Sequence, residues 1–424
     1  MVNYGRYIEQ NHGSAIVAVP SHPQADDGQF PFPVLRYPSF DASRFVGYRA
    51  GYPFSPEVAG ELVRRKTELL HAHCPIVSTF LARSLRGVID APLVLTYHTK
   101  FDVDIAEAIR SKRLQARAIR ALVENVNACD EVWVVSRGAG ENLRALGYEG
   151  AYIVMNNGVD FPRGRVGEAA IQAVTAGYDL PQTVPIFLFV GRMRWYKGLR
   201  LIIDALARLK EVGADFRMVF IGSGADEEEV RTYCAAQGLR NRCFFPGAIT
   251  EREILRAWYC RADALLFPST FDTNGLVVGE AAACSLPAVL VRGSCAAEGT
   301  RDGEDAFLIE ETAQSLSALL AKLCSDRPRM RAVGERASRT LYLSWEDAVG
   351  RAAERYEIVI DAYRSGKTPH HGGGVEHLLR SQGELMEAVA RMERRKAVRR
   401  GGICGENRER TARVAGSLRY RVIR

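Results

Sequence analysis

No stretch of the 424 residues reaches the about 18 consecutive apolar positions that a membrane-spanning helix needs. The first residues hold no apolar run of signal-peptide length, so a cytoplasmic chain is expected. The nine cysteines include no C-x-x-C pair and no metal-ligand spacing. Most of them lie in apolar strands or helices, which predicts reduced core thiols and excludes a disulfide scaffold. The sole His-x-His, His71-Ala72-His73, has no third ligand near it in the sequence, and no metal site is expected. Acidic residues are absent between Glu107 and Glu124, and they are scarce at the end of the chain. Residues 391–424 carry twelve Lys/Arg against three Glu, a net of +9, which leaves −2 for residues 1–390 out of the total of +7. That basic tail holds one aromatic, Tyr420, too few to stack bases, so no nucleic-acid partner is expected.

The remaining composition is that of a soluble globular protein, with 47% hydrophobic and 25% charged residues. The length is too great for one usual core and predicts two domains and a tail. From Ile186 onward, apolar strands alternate with helical patterns, as parallel βαβ units require. The buried strand Ala262–Phe267 leads through a Pro-Ser turn into a loop with Asp272 and Asn274. A helix beginning at Gly275 follows, with Leu276 and Val277 in its first turn and Glu280 in its second. A glycine there allows close approach to free N–H groups at the positive end of the helix dipole, which suits an anion. The strand Ile186–Val190 similarly runs into Gly191-Arg192-Met193-Arg194-Trp195-Tyr196-Lys197-Gly198. Cations on a glycine-bounded turn fit a diphosphate, with Arg192 able to fork onto two oxygens and Lys197 acting as a point charge.

In the first half, Met1–Gln10 reads as a helix, Ala15–Val19 as a strand, and residues 20–56 as a Pro- and aromatic-rich loop region, a candidate acceptor surface. Thr67–His73 and Pro92–Tyr97 read as strands whose carboxyl ends present His73 and His98-Thr99-Lys100-Phe101-Asp102. Ligand-facing groups in open α/β sheets gather at such ends. Ile105–Val126 reads as one helix with Arg110, Arg113, Arg117 and Arg120 on one face and Lys112 beside it, either a solvated face or a membrane-surface contact. Another helix is expected at Trp345–Arg364, then a break at His370-His371-Gly372-Gly373-Gly374 and a tail that is partly helical at best and mobile.

Together these stretches resemble glycosyltransferase family 4, retaining enzymes of the GT-B fold. The family's G-R-x-x-x-x-K-G element reads as Gly191-Arg192 to Lys197-Gly198. Its E-x7-E element reads as Asp272 to Glu280, with Asp for the first Glu, and two further turns match at Ile221-Gly222-Ser223-Gly224 and Phe245-Pro246-Gly247. The resemblance implies an α/β fold of two Rossmann-like domains facing across a cleft. Residues 1–160 would form the acceptor domain, 161–344 the nucleotide-sugar domain, 345–366 a helix packing back on the first domain, and 367–424 the basic tail. It also implies that the N-terminal domain lacks its first strand and Gly-rich turn, since the chain opens on a helix; an upstream start would supply them.

The implied function is transfer of a hexose, glucose from UDP-glucose, to a hydroxyl of a lipid-linked acceptor, resembling bacterial glycolipid-type glucosyltransferases. Alternatives left open are a soluble acceptor and an inactive homologue that binds anionic surfaces. Catalytic positions would be His98, Asp272, Arg192 and Lys197. The donor side would comprise Gly191, Arg192, Lys197, Gly222, Ser223, Gly247, Asn274, Gly275, Leu276, Val277 and Glu280, and the acceptor side His73, His98, Lys100 and Asp102. Cations at the diphosphate would make a metal unnecessary, and no cofactor is expected beyond the nucleotide sugar as co-substrate. The chain would be cytoplasmic, and peripheral on the inner face of the cell membrane.

Overall fold

The computed structural model describes residues 1–42, 49–368 and 374–415. The break at His370-His371-Gly372-Gly373 and the tail aromatic Tyr420 lie outside the described residues. Contacts divide the chain into two compact units. One comprises Met1–Ser14, Thr96–Arg120 and Val132–Arg355; the other comprises Ala15–Leu95, Ala121–Glu131 and Tyr356–Arg424. No helix among the described residues is long and apolar enough to cross a membrane.

The chain opens on the helix Val2–Asn11. The strand β1 (Val17–Pro20) pairs in parallel with β2 (Val34–Tyr37), and β3 (Ser39–Asp41) pairs antiparallel with β4 (Arg49–Gly51). The region read as loop therefore holds three strands, of which β2 is VLRY flanked by prolines that mask it in the sequence. The strands β5 (Leu70–Ala72), β6 (Leu93–Tyr97), β7 (Glu131–Val134) and β8 (Ile153–Val154) follow in that order in a separate four-stranded sheet. Among the described residues no strand joins the β1-β2 pair to it. The basic stretch read as one helix is two, Phe101–Ala108 and Lys112–Asn127, interrupted at Ile109–Ser111.

The larger core belongs to a six-stranded parallel sheet made of β9 (Ile186–Val190), β10 (Arg217–Ile221), β11 (Cys243–Gly247), β12 (Ala264–Phe267), β13 (Ala288–Val291) and β14 (Phe307–Ile309). Its order, β11-β10-β9-β12-β13-β14, is the doubly wound order, and β9, β12 and β13 are buried at every residue. The chain reverses its direction of travel across the sheet between β9 and β12. That switch point opens a crevice outside the carboxyl ends of these two strands, where ligands bind in this topology.

The tail differs most from expectation: residues Gly374–Ala415 form a single helix. Its first half packs within its own unit, where Met386 joins a cluster of Tyr37, Val58, Ala59, Leu62, Leu81 and Leu85. Two features hold it. The Arg83 guanidinium, 7% exposed, is ion-paired with Glu376 and also donates to the Asn125 amide oxygen. Gly383 lies so close to the helix Val77–Ile89 that an added Cβ would stand 1.9 Å from the Ser84 carbonyl oxygen. Such close crossing needs glycine, and composition alone, dominated by arginine, conceals it. We expect Gly383→Ala to destabilise this unit by about 1–3 kcal/mol, the usual penalty of overpacking. Faster proteolysis between residues 374 and 396 is the readout, and wild-type protection in the variant would contradict the packing described.

Candidate functional site

Three successive strand-to-helix turns lock together at the carboxyl end of the six-stranded sheet. Gly191 N–H donates to the Ile221 carbonyl (3.0 Å), Gly222 N–H to the Gly247 carbonyl (2.9 Å) and Met193 N–H to the Ser223 carbonyl (2.9 Å). Gly222 has φ 138°, and a Cβ there would sit 1.9 Å from the Gly191 carbonyl oxygen, so this turn can form only with glycine. The β9 turn is then fastened sideways. Trp195 N–H donates to Asp226 (2.9 Å), and its indole N–H to Glu229 (2.9 Å).

These restraints sort the turn's cations. Arg194 lies 3.8 Å from Asp226. Lys197 is only 7% exposed; its ammonium is ion-paired with the Asp272 carboxylate and lies 5.8 and 5.9 Å from the ring centres of Tyr196 and Phe271. Arg192 is exposed, and its guanidinium has no ion-pair partner among the described residues. Burial of Lys197 is tolerable because one carboxylate oxygen and two aromatic faces replace its water. The second Asp272 oxygen, Oδ2, is buried without a hydrogen-bond partner. A buried carboxylate oxygen left in that state favours a donor that arrives with a ligand.

Gly275, with φ 59°, caps the helix Leu276–Ala283, whose first-turn N–H groups at Leu276 and Val277 lack partners within the helix. Asn274 lies directly before it, half-buried. Glu280 sits deeper than the sequence reading implies. One oxygen accepts from Arg252 (2.9 Å) and the other from the buried Tyr259 hydroxyl (2.7 Å), which leaves only its remaining lone pairs for a ligand. Arg252 and Tyr259 were missed because their helix, Arg252–Arg261, reads as an ordinary amphipathic one. Tyr196 and Phe271, whose ring centres are 4.6 Å apart, could have been noticed, since each neighbours a residue singled out for its charge.

The segment after β6 belongs to the same unit and reaches the same loop. The His98 carbonyl accepts from the Thr273 hydroxyl (2.6 Å), and the Lys100 ammonium donates to the Thr270 carbonyl (3.2 Å). Asp102 accepts from the Asn142 amide at 3.3 Å, and Asn142 in turn accepts from the Tyr97 hydroxyl at 2.9 Å. His98 and Lys100 thus reach the loop that carries Asp272, the partner of Lys197, while Asp102 is held through Asn142. His73 belongs to the other unit, where its ring lies 4.1 Å from that of His71. His71 Nδ1 is 2.5 Å from the Tyr356 hydroxyl. Among the described residues no group of three or more His, Cys, Asp or Glu is placed to hold a metal ion.

Burial pushes the His98 imidazole down to about 4 from its ordinary 6.5. As pH falls, the unfolded chain therefore takes up this proton first. The stability tied to the neutral ring is complete above pH 6.5 and is lost as pH falls from there toward about 4. We expect the stability difference between the wild type and His98→Gln to be flat near neutrality and to shrink across that window. A difference independent of pH, read from urea unfolding at several pH values, would refute the burial of a neutral His98.

Two family models match the chain: Glycosyltransferase Family 4 over residues 2–163, and Glycosyl transferases group 1 over residues 172–340. The chain is 26% identical over 396 residues to the sulfoquinovosyl transferase SQD2 of Arabidopsis thaliana, covering 89% of this chain and 73% of that protein. It is 28% identical over 328 residues to a D-inositol 3-phosphate glycosyltransferase of Thermomonospora curvata, covering 71% and 74% respectively. Among solved structures, Anabaena Alr3699/HepE in complex with UDP-glucose superposes with a TM-score of 0.64 at 17% identity, covering 84% of this chain and 94% of that one. With both family models matched in order along the chain and both halves of the fold accounted for, the protein belongs to the glycosyltransferases of the family 4 type, transferases built from two Rossmann-like domains.

Proposed function

We propose that this glycosyltransferase moves a hexose, glucose from UDP-glucose, to a hydroxyl of a lipid-linked acceptor with retention of configuration and without a metal or other cofactor. The observation that carries the reading is the Lys197–Asp272 pair beside the Gly275 helix terminus, with Asp272 Oδ2 buried and unpartnered and Arg192 unpaired on the same side of the sheet. In this reading the donor's diphosphate lies against Arg192, Lys197 and the N–H groups of Leu276 and Val277. Gly191, Gly222, Ser223 and Gly247 give it close backbone approach. Cleavage of the glycosidic C–O bond leaves negative charge on the departing diphosphate, and these groups meet that charge as it develops. Sugar hydroxyls donate to Asp272 Oδ2, and ribose hydroxyls use the lone pairs that Arg252 and Tyr259 leave free on Glu280. His98, neutral through the physiological range, holds the sugar's acceptor side without adding charge to it.

The UDP-glucose in the HepE complex supports the choice of donor. For the acceptor, the support is a surface. Arg110, Lys112, Arg113, Arg117 and Arg120 have no ion-pair partner among the described residues, and Leu114 stands 52% exposed in their midst. Unneutralised cations around an apolar side chain suit the anionic inner face of a membrane, where each contributes on the order of 1 kcal/mol at low salt. A soluble acceptor is the second reading, favoured by the relatives named for D-inositol 3-phosphate.

Radiolabelled UDP-glucose incubated with the protein and a membrane extract is expected to pass label into organic solvent. Label confined to water-soluble product would favour the second reading, and absence of both transfer and donor hydrolysis would leave an inactive homologue. Arg192→Ala and Lys197→Ala should each lower turnover by about a hundred- to a thousand-fold, the usual loss on removing one such donor. Asp272→Glu should be milder than Asp272→Asn, since a negative acceptor is retained. Replacing Arg113, Arg117 and Arg120 together by Gln should release the protein from phosphatidylglycerol vesicles while donor hydrolysis persists; unchanged vesicle binding would remove this surface from the proposal.

A further inference from the structure

Glu298 makes an unusual contact within its unit. Its two carboxylate oxygens accept from consecutive backbone amides at the start of the helix Arg137–Ala145: Arg137 N–H at 2.7 Å and Gly138 N–H at 2.6 Å. The Ser136 hydroxyl caps the next free amide, that of Ala139, at 3.0 Å. The helix terminus is therefore closed by a carboxylate from a residue 160 positions further along the chain, which satisfies its free donors and its dipole together.

Just before Glu298 runs a single 3-10 turn, Cys295–Ala297. This turn touches both sides. A Cβ on Gly138 would lie 2.5 Å from Cys295 Sγ and 3.1 Å from Glu298 Oε1. A Cβ on Gly275 would lie 2.9 Å from the Cβ of Ala296. The turn is thus wedged between the amino ends of two helices, with a glycine at each face permitting the approach. Gly275 has a left-handed backbone, a conformation that glycine adopts without steric cost.

The geometry points to Glu298 as a positioning residue: by anchoring the Cys295–Ala297 turn on the Arg137–Gly138 amides, it holds Gly275 and the first turn of the following helix in the shape that receives the donor's diphosphate. This rests on the reading of the Gly275 turn as the diphosphate site. Glu298 touches no reacting atom in that reading. It acts through Ala296, and its loss should weaken donor binding more than the chemical step.

The test uses Glu298→Ala, Glu298→Gln and, as a steric counterpart that keeps the charge, Gly138→Ala. Hydrogen exchange is followed in the donor-free protein at residues 137–139 and 275–278, and donor KM and kcat are measured alongside Arg192→Ala. We expect Glu298→Ala and Gly138→Ala to speed exchange at both places and to raise donor KM about tenfold, roughly the worth of one charge-assisted hydrogen bond at an exposed site, with a smaller change in kcat. Glu298→Gln keeps one well-placed acceptor oxygen and should fall between them and the wild type. Faster exchange at 137–139 with none at 275–278, in both disruptive variants, would overturn the coupling. Faster exchange at both places with unchanged KM, while Arg192→Ala is impaired, would overturn the positioning role. If exchange responds as expected and Arg192→Ala is as active as the wild type, the diphosphate reading of the turn fails, and the mechanical link through Ala296 stands.

Discussion

A lysine that is 7% exposed has to meet its counter-charge inside the protein, and the candidate site is arranged around that necessity. Lys197 finds it in Asp272, across from the turn that carries it, and the pair joins the loop after β9 to the loop after β12. Those are the two strands between which the doubly wound sheet reverses direction. The ion pair therefore sits where the topology already opens a crevice. The surrounding contacts serve to keep its two loops in register. Trp195 is fixed to Asp226 and Glu229 on one side, and the Thr270–Thr273 segment to His98 and Lys100 on the other.

What was legible in the sequence were the positions where backbone geometry admits few residue types. Gly222, Gly247 and Gly275 stand in turns where close approach or a positive φ demands glycine, and such demands leave a trace at a fixed place. The buried parallel strands were legible for a similar reason, since burial on both faces leaves unbroken apolar runs. Partnerships between distant side chains leave no comparable trace. Nothing near Glu280 in the chain announces that Arg252 and Tyr259 will occupy its oxygens, and nothing near Gly138 announces Glu298.

The tail shows how composition can mislead. Its arginines suggested a mobile, solvated segment, yet Leu379, Met386 and Ala390 recur at helical spacing and are buried against their own unit. These positions fall in residues 374–390, which carry three Glu and one Arg, ahead of the basic run that begins at Arg391, so the charge excess does not oppose their packing. Gly383 was the further clue, because a glycine inside a helical pattern usually marks a close crossing. The basic helix near Arg113 is the contrasting case. There the sequence lacked acids, and the fold brings none to it among the described residues, so local composition survived into the surface.

In the proposed reading, the pairing of Lys197 bears on how the donor's diphosphate is held. With Lys197 committed to Asp272 and Arg252 to Glu280, Arg192 is a cation here without an ion-pair partner among the described residues. An arriving diphosphate then has two ways to gain a second positive partner. It can draw Lys197 away from Asp272, which would leave a buried carboxylate uncompensated, or it can approach Lys197 while Asp272 stays paired. The second is cheaper, because Asp272 Oδ2 is already orphaned and can take a sugar hydroxyl without giving up the lysine. The diphosphate would then face a cation half-neutralised in the ground state. As the bond breaks and its charge grows, its attraction to Lys197 grows while the Asp272 pair is unchanged. In the proposed reading, the part of that attraction gained only as the charge develops, not tight donor binding, is what would accelerate transfer.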